Sequence, residues 1–259
     1  MNMRSVTFIT VCTFFIVLLA VSPCAYADNL EVVRTVIDGD TIILEDGRHI
    51  RYIGIDTPEI RRRKGQKWVY APMPYALEAR SINSSLVMGK EIQLEYDSQR
   101  KDKYGRDLAY VYVDGFMVNE ELLRKGVGCL TVYAPNFKYT DRLALAQRHA
   151  MTEKVGLWET VQDTNIEGAH ELIGFFASVS GVVSGVAEHK DSVFLNFNAQ
   201  GSPRFSAVIW KSNIHFFTEK EWNAPEAYVG EKVKVFGTIG YGKVAQMILF
   251  HPVQLVLDE

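Results

Sequence analysis

Cysteine is nearly missing from this chain. Of 259 residues only three are cysteines, and two of them, Cys12 and Cys24, fall within the first 27 positions. Removal of that segment would leave Cys129 alone, so no intramolecular disulfide could brace the protein and an apolar core must hold it. Clustered Cys and His with zinc spacing are also absent, and the six histidines are scattered singly, which argues against a zinc centre. There is no Gly-x-Ser-x-Gly elbow and no glycine-rich phosphate loop, which removes the hydrolases built on those two devices. No repeat of fixed period and no low-complexity tract is found.

A positive surplus is missing as well. The net charge is −3, residues 28–160 set 20 Lys/Arg against 20 Asp/Glu, and residues 161–259 set 7 against 11. Proteins that grip nucleic-acid backbone over a broad face carry a basic excess. Any contact with a polyanion must here be local.

The first 27 residues stand apart from the rest of the chain. Arg4 precedes an apolar run from Val6 to Val21, and Ala25-Tyr26-Ala27 supplies small residues at its end. This is the layout of a signal peptide spanning 1–27, so export to a secreted or periplasmic location is expected. The alternative is an uncleaved anchor over residues 6–22, with transient membrane association, because the run approaches the length that spans a bilayer. A lipidated Cys24 is the weaker variant, since Pro23 precedes it.

From Leu30 to Val113 short β-branched runs alternate with turn signals. Asp38-Gly39, Asp46-Gly47 and Asp114-Gly115 punctuate them, as tight turns between antiparallel strands do. Helices are expected over Pro74–Val87, Val118–Lys125 and Thr140–Val155, each followed within two residues by a glycine. The expected fold class is α+β: a five-stranded OB-like barrel with three helices over 28–160. A polar linker would cover 161–172. A second small β-barrel would then fill 173–259, from five strands punctuated by glycine and one helical stretch over Glu219–Tyr228.

Four carboxylates, Asp38, Asp40, Asp56 and Glu59, sit at the ends of strand-like runs. Such groups can converge at one rim of a barrel, and a hard divalent cation takes oxygen ligands of this kind. Read alone, Asp38-Gly39 is more often just a turn and Asp56-Thr57-Pro58 more often just a strand exit.

The order of the pieces narrows the choice. Val36-Ile37-Asp38-Gly39-Asp40-Thr41, Arg51 through Ile55-Asp56-Thr57-Pro58-Glu59, and Asp102-Lys103-Tyr104-Gly105-Arg106-Asp107-Leu108 closely resemble the staphylococcal nuclease (thermonuclease) family. The resemblance continues through Val118-Asn119-Glu120, Tyr133-Ala134-Pro135-Asn136 and Gly156-Leu157-Trp158, and covers residues 30–160. It implies a calcium-dependent endonuclease that hydrolyses phosphodiester bonds of DNA or RNA. It assigns the calcium ligands to Asp40, Asp56 and the Thr57 backbone oxygen, the phosphate-holding arginines to Arg51 and Arg106, and the water-activating glutamate to Glu59. Lys103 and Tyr104 match the nucleotide-phosphate pocket and Tyr133 the base site. A second family tyrosine, two positions before Tyr133, is Thr131 here, which puts base preference in doubt.

The chemistry suits these residue types. Two guanidinium groups can each donate paired hydrogen bonds to phosphate oxygens as charge builds on them. The run Arg61-Arg62-Arg63-Lys64 with Lys67, beside Trp68 and Tyr70, is either a solvated loop or a local steering patch. Val193-Phe194-Leu195-Asn196-Phe197 and Lys232 through Gly237 resemble an oligonucleotide-binding barrel, although that half of the chain is acidic. The rival function is a non-catalytic nucleic-acid or protein-binding scaffold. Such a scaffold is expected to lose Arg51, Glu59 or Arg106, and all three are present. A monomer is expected.

Overall fold

The computed structural model describes residues 30–197, 205–218 and 224–258. The expected signal segment, and residues 219–223 of the expected helical stretch, lie outside the described residues. Among the described residues no helix is long and apolar enough to cross a membrane.

Ten strands and three α-helices make up the first unit. The strands are β1 (Glu31–Val36), β2 (Thr41–Leu44), β3 (His49–Tyr52), β4 (Gly54–Asp56), β5 (Arg61–Lys64), β6 (Lys67–Tyr70), β7 (Glu91–Glu95), β8 (Asp107–Val113), β9 (Phe116–Met117) and β10 (Cys129–Thr131). The helices are α1 (Ala76–Val87), α2 (Val118–Arg124) and α3 (Thr140–Glu153). The main sheet runs β3-β2-β1-β7-β8-β9, and a parallel pairing of β3 with β8 closes a five-stranded OB-like ring of β1, β2, β3, β8 and β7. Alternation drives the closure. Ile42, Leu44, Ile50, Tyr52, Ile92 and Val111 all point inward and are fully or almost fully buried, each contributing about 1.5–3 kcal/mol if apolar and wholly removed from water.

Two features correct the expected fold of this unit. The helical elements number four, because Gly156–Trp158 forms a 3-10 turn after α3. It spans only three residues, the terminating glycine included, too few for a periodic signal. The cationic run expected as a loop is a hairpin, β5 with β6, outside the ring. A run of like charges has no apolar alternation to announce a strand.

α1 carries an unusual buried face: Ala76, Ala79, Asn83 and Val87. Its small residues let the loop before β2 approach closely. A Cβ on Gly39 would stand 2.7 Å from both the Ala79 Cβ and the Thr57 side chain, so only glycine fits there.

Among the described residues the second unit holds β11 (Gln162–Asn165), β12 (Phe176–Glu188), β13 (Ser192–Phe197), β14 (Phe205–Trp210), β15 (Lys232–Tyr241), β16 (Ala245–Leu249) and β17 (Leu255–Leu257). The five strands expected here are corrected to seven in one sheet of order β11-β12-β13-β14-β16-β15-β17, in which a further pairing of β12 with β15 closes β12, β13, β14, β16 and β15 into a ring and leaves β11 and β17 as additions. The first half of β12 pairs with β15 and its second half with β13, across an irregularity between Val183 and Gly185. The added strands are polar or short. Gln162–Asn165 pairs in parallel with β12 although it contains no apolar residue, because the ladder needs only backbone groups. The Pro225–Tyr228 stretch is a 3-10 turn, and Lys211–Phe217 is another.

The two cores meet. Phe250 and Val253 of the second unit pack into the apolar cluster of the first. Trp158, 5% exposed, presents its ring to Phe176 and Phe236 edge-on, at 5.2 and 5.9 Å. It therefore joins the units instead of only closing the first. Its buried Nε1 has no hydrogen-bond acceptor among the described residues.

Candidate active site

The site is assembled from three places on the first unit: the turn between β1 and β2, strand β3, and the segment from β4 to Glu59. Asp38 sets the turn by accepting a hydrogen bond from the Asp40 amide at 3.1 Å. Asn83 on α1 anchors the turn from below. Its Nδ2 donates to the Asp38 carbonyl at 3.0 Å, and its Oδ1 accepts from the Tyr52 hydroxyl at 2.9 Å.

Asp40 is 4% exposed and has both oxygens in use. Oδ2 accepts from the Thr57 amide at 2.7 Å and the Thr57 hydroxyl at 2.9 Å. Oδ1 accepts from the Thr41 hydroxyl at 3.0 Å and pairs with Arg51 Nη1 at 2.9 Å. A buried carboxylate needs such partners, and these supply them. Arg51 sits opposite Thr41 in the β2–β3 ladder, so its side chain leaves the barrel at the rim that holds Asp40. From there Nη2 reaches Asp56 Oδ1 at 2.6 Å and Nη1 donates to the Ile55 carbonyl at 2.7 Å. Burial pulls the Arg51 guanidinium toward neutrality, but Asp40 and Asp56 outweigh it and raise its pKa.

Three carboxyl groups are pushed upward. Burial, then Asp40, lifts Asp38 to about 7. Desolvation lifts Asp56 against the pull of Arg51. Desolvation, followed by the charges of Asp40 and Asp56, lifts Glu59, with Arg51 and Arg106 opposing. Negative charge is therefore in surplus at this rim.

Arg106 enters from the other side of β3. Arg51 pairs with Leu108 in the parallel β3–β8 ladder, which brings the residue two positions earlier to the same rim. Asp102 fixes the loop: it accepts from the backbone amides of Tyr104 and Arg106 at 2.9 and 3.0 Å and from Arg106 Nε at 2.7 Å. The Arg106 Nη atoms make no hydrogen bond among the described residues. Lys103 Nζ lies 5.1 Å from the centre of the Tyr104 ring, and Tyr104 is exposed. Tyr133 is exposed too, near enough that desolvation and then Asp56 raise its hydroxyl pKa.

Arg51, Glu59, Asp40, Asp56 and Thr57 thus gather closely, with Arg106 facing Asp56 and Glu59. Lys103 and Tyr104 precede Arg106 on its own loop, and Tyr133, two residues beyond the end of β10, lies near enough to Asp56 to feel its charge. Asp38 stays at the edge as a turn residue. The cationic hairpin is exposed, with Trp68 and Tyr70 open to solvent.

Among the described residues no three or more His, Cys, Asp or Glu groups are gathered to hold a metal by themselves. The rim does offer two carboxylates, Asp40 and Asp56, beside the Thr57 backbone, all oxygen donors and all within the acidic surplus. That set fits a hard ion that keeps several waters and does not fit zinc.

Several positioning residues gave little sign in the sequence. Asn83 gives a signal as a lone polar residue on the apolar face of α1, and Asn119 through the motif Val118-Asn119-Glu120. Asn119 ties β4 to the barrel, with Nδ2 donating to the Ile53 carbonyl at 2.8 Å and Oδ1 accepting from the Val111 amide at 2.9 Å. Asn213 and Phe250 come from the second unit. Phe250 meets the Tyr133 ring edge-on at 5.2 Å, and no local pattern could have paired them.

Comparison with known proteins decides the family. A profile of staphylococcal nuclease homologues matches residues 49–160. A thermonuclease of Staphylococcus hyicus is 41% identical over 138 residues, which is 52% of this chain and 78% of that protein. The chain belongs to the staphylococcal nuclease family. The thermonuclease of Staphylococcus intermedius is 38% identical over 132 residues, covering 49% of this chain and 75% of that protein. The endonuclease YncB of Bacillus subtilis is 42% identical over 127 residues, covering 47% of this chain but only 58% of its own length. Membership makes this staphylococcal nuclease homologue a hydrolase of the nuclease type, acting on nucleic acid. The family profile ends at residue 160, so the second unit takes no role from it.

Proposed function

We propose that the protein is an exported, calcium-dependent endonuclease cutting DNA or RNA, with its chemistry on Arg51, Glu59 and Arg106. The observation that carries this reading is the meeting of two guanidinium groups and a raised glutamate at one acidic rim. Arg106 keeps its Nη donors free for a phosphate oxygen, and Arg51 holds the opposite side. Both are fixed before substrate arrives, Arg51 by Asp40 and Arg106 by Asp102. Preorganised donors of this kind stabilise charge as it develops on the phosphoryl oxygens. Glu59, exposed at the rim, has room to accept a proton from an attacking water, and its raised pKa makes it a better base than an ordinary carboxylate. Asp40, Asp56 and the Thr57 carbonyl would hold the calcium ion, which when bound polarises a phosphoryl oxygen. Lys103 and Tyr104 would receive a neighbouring phosphate, and Tyr133 a base.

The division into residues 28–160, a joining segment 161–172 whose strand β11 is added to the sheet of the second unit, and a second domain 173–259 belongs to the same proposal. So does secretion, with cleavage after Ala27, and a monomeric mature protein. The test is direct. Purified protein in millimolar calcium is expected to degrade single-stranded DNA or RNA, and a chelator to abolish the activity. Intact DNA and RNA in calcium would sink the reading. Mass spectrometry of the exported form is expected to find Asp28 at its N-terminus.

A further inference from the structure

A cleft of about 400 Å³ opens beside the catalytic rim, a size typical of small-ligand sites, which run to about 300–1,000 Å³. One wall is Asp56 to Glu59 with Tyr133. The other comes from β15 and β16 of the second unit and includes Thr238, Tyr241, Gln246 and Phe250. We propose that this second wall is a subsite for bases of a single-stranded nucleic acid, next to the phosphate being cut. It rests on the endonuclease reading above and extends it to the half of the chain that the family profile does not reach.

Charge placement favours bases over phosphates on that wall. Residues 161–259 carry four more acidic than basic side chains, yet none of the cleft residues contributed by this unit is charged. A face that only spaced the domain, or that met protein at random, would not exclude its own carboxylates so completely. What remains is aromatic, hydroxyl and amide side chains with glycines and Ile248. Tyr241, 70% exposed at the end of β15, offers an open ring. The Gln246 side chain is half-buried and makes no hydrogen bond among the described residues, so its amide can pair with a base edge. Exposed rings that stack on bases, beside a cationic track for the backbone, are how single strands are held without a strongly basic surface.

The cationic track is also present. Gly174 lines the cleft, and a Cβ placed on it would lie 3.6 Å from Arg62 Nη2 of the β5–β6 hairpin. The hairpin therefore brings a guanidinium to the cleft margin, where a phosphate of the same strand would pass. Tyr133 links the two walls, because Phe250 supports its ring from the far side. A strand held at Arg51 and Arg106 has a continuous path from the catalytic rim onto Tyr133 and then Tyr241.

The experiment uses the full exported protein in calcium and two labelled, cleavage-resistant phosphorothioate ligands, a single-stranded decanucleotide and a dinucleotide, with binding read by fluorescence anisotropy. Tyr241→Ala is expected to weaken decanucleotide binding about tenfold, the scale of one lost stacking contact, and to leave the dinucleotide unchanged. Tyr241→Phe is expected to restore wild-type binding. An unchanged decanucleotide affinity in Tyr241→Ala, or equal weakening for both ligands, overturns the subsite, as does a wild type that binds neither. Unmodified ligands separate the two proposals. Binding that depends on Tyr241 without any cleavage keeps the subsite and removes the endonuclease reading; cleavage that ignores Tyr241 does the reverse. Matching thermal melts for the variants exclude unfolding as the cause.

Discussion

Asn213 donates a hydrogen bond from its amide to the backbone carbonyl of Val132 at 3.0 Å. The donor is in the second unit, and the acceptor is one residue before Tyr133. A second bond from the same nitrogen holds the Phe250 carbonyl at 3.1 Å, and Asn213 is 1% exposed. The second unit thus grips the segment that carries Tyr133 by backbone and by ring. Asn213→Ala leaves two buried carbonyls without this donor, at a cost of about 1–3 kcal/mol for each group left unsatisfied. Urea denaturation is expected to show that loss, and cleavage assays a higher KM with kcat little changed.

Glu59→Gln removes the proposed base and keeps the shape. Glu59 is exposed and makes no ion pair among the described residues, so the melting temperature is expected to stay within a degree or two of wild type. The chemical step should fall by about 10²–10³-fold, as for other single groups that act on the transition state. Single-turnover cleavage in calcium measures it. Equal rates in the two proteins would remove Glu59 from its role.

The two arginines are expected to differ when replaced by lysine. Arg106 is paired to Asp102 at a solvent-facing loop, so Arg106→Lys should lower the cleavage rate and spare stability. Arg51 bridges Asp40 and Asp56 and also satisfies the Ile55 carbonyl. A lysine cannot span all three with a single ammonium. Arg51→Lys should therefore lose activity and also stability, by about 3–5 kcal/mol if Asp40 is left as an unpaired buried charge. Denaturation midpoints for the two variants decide it.

Acid stability is expected to depend on Asp97. Burial alone would raise its pKa, but the Lys138 and Ser98 amides at 3.1 and 2.7 Å and the Tyr110 hydroxyl at 3.1 Å lower it below its ordinary 3.8. A group lowered in the folded state adds stability above its unfolded pKa, and that stability is lost as pH falls through the folded value. Wild type should therefore lose stability below about pH 4, whereas Asp97→Asn should be less stable at neutral pH and show a flatter acid limb. Thermal melts from pH 7 to pH 2 test this.

Much of the first unit was legible because its signals are local. Asp46-Gly47 turns β2 into β3, and the glycines at 89, 126 and 156 stand just beyond the three helices. The same holds for the site, where Asp40, Arg51, Asp56 and Glu59 lie within twenty residues of one another. What stayed hidden has no local signature. The β5–β6 hairpin is charged at all four positions of β5, and β11 is wholly polar, so neither shows an apolar period.

The sequence by itself determined membership of the staphylococcal nuclease family and which residues stand as site candidates, because those residues occur in short ordered motifs whose spacing survives in one dimension. Only the tertiary structure decided that Asn83 anchors the acidic turn, that Trp158 and Phe250 join the units, and that an uncharged wall of the acidic half faces the cleft. These contacts join residues far apart along the chain, and such pairings arise from packing and from the satisfaction of buried polar groups, which no single stretch of chain encodes.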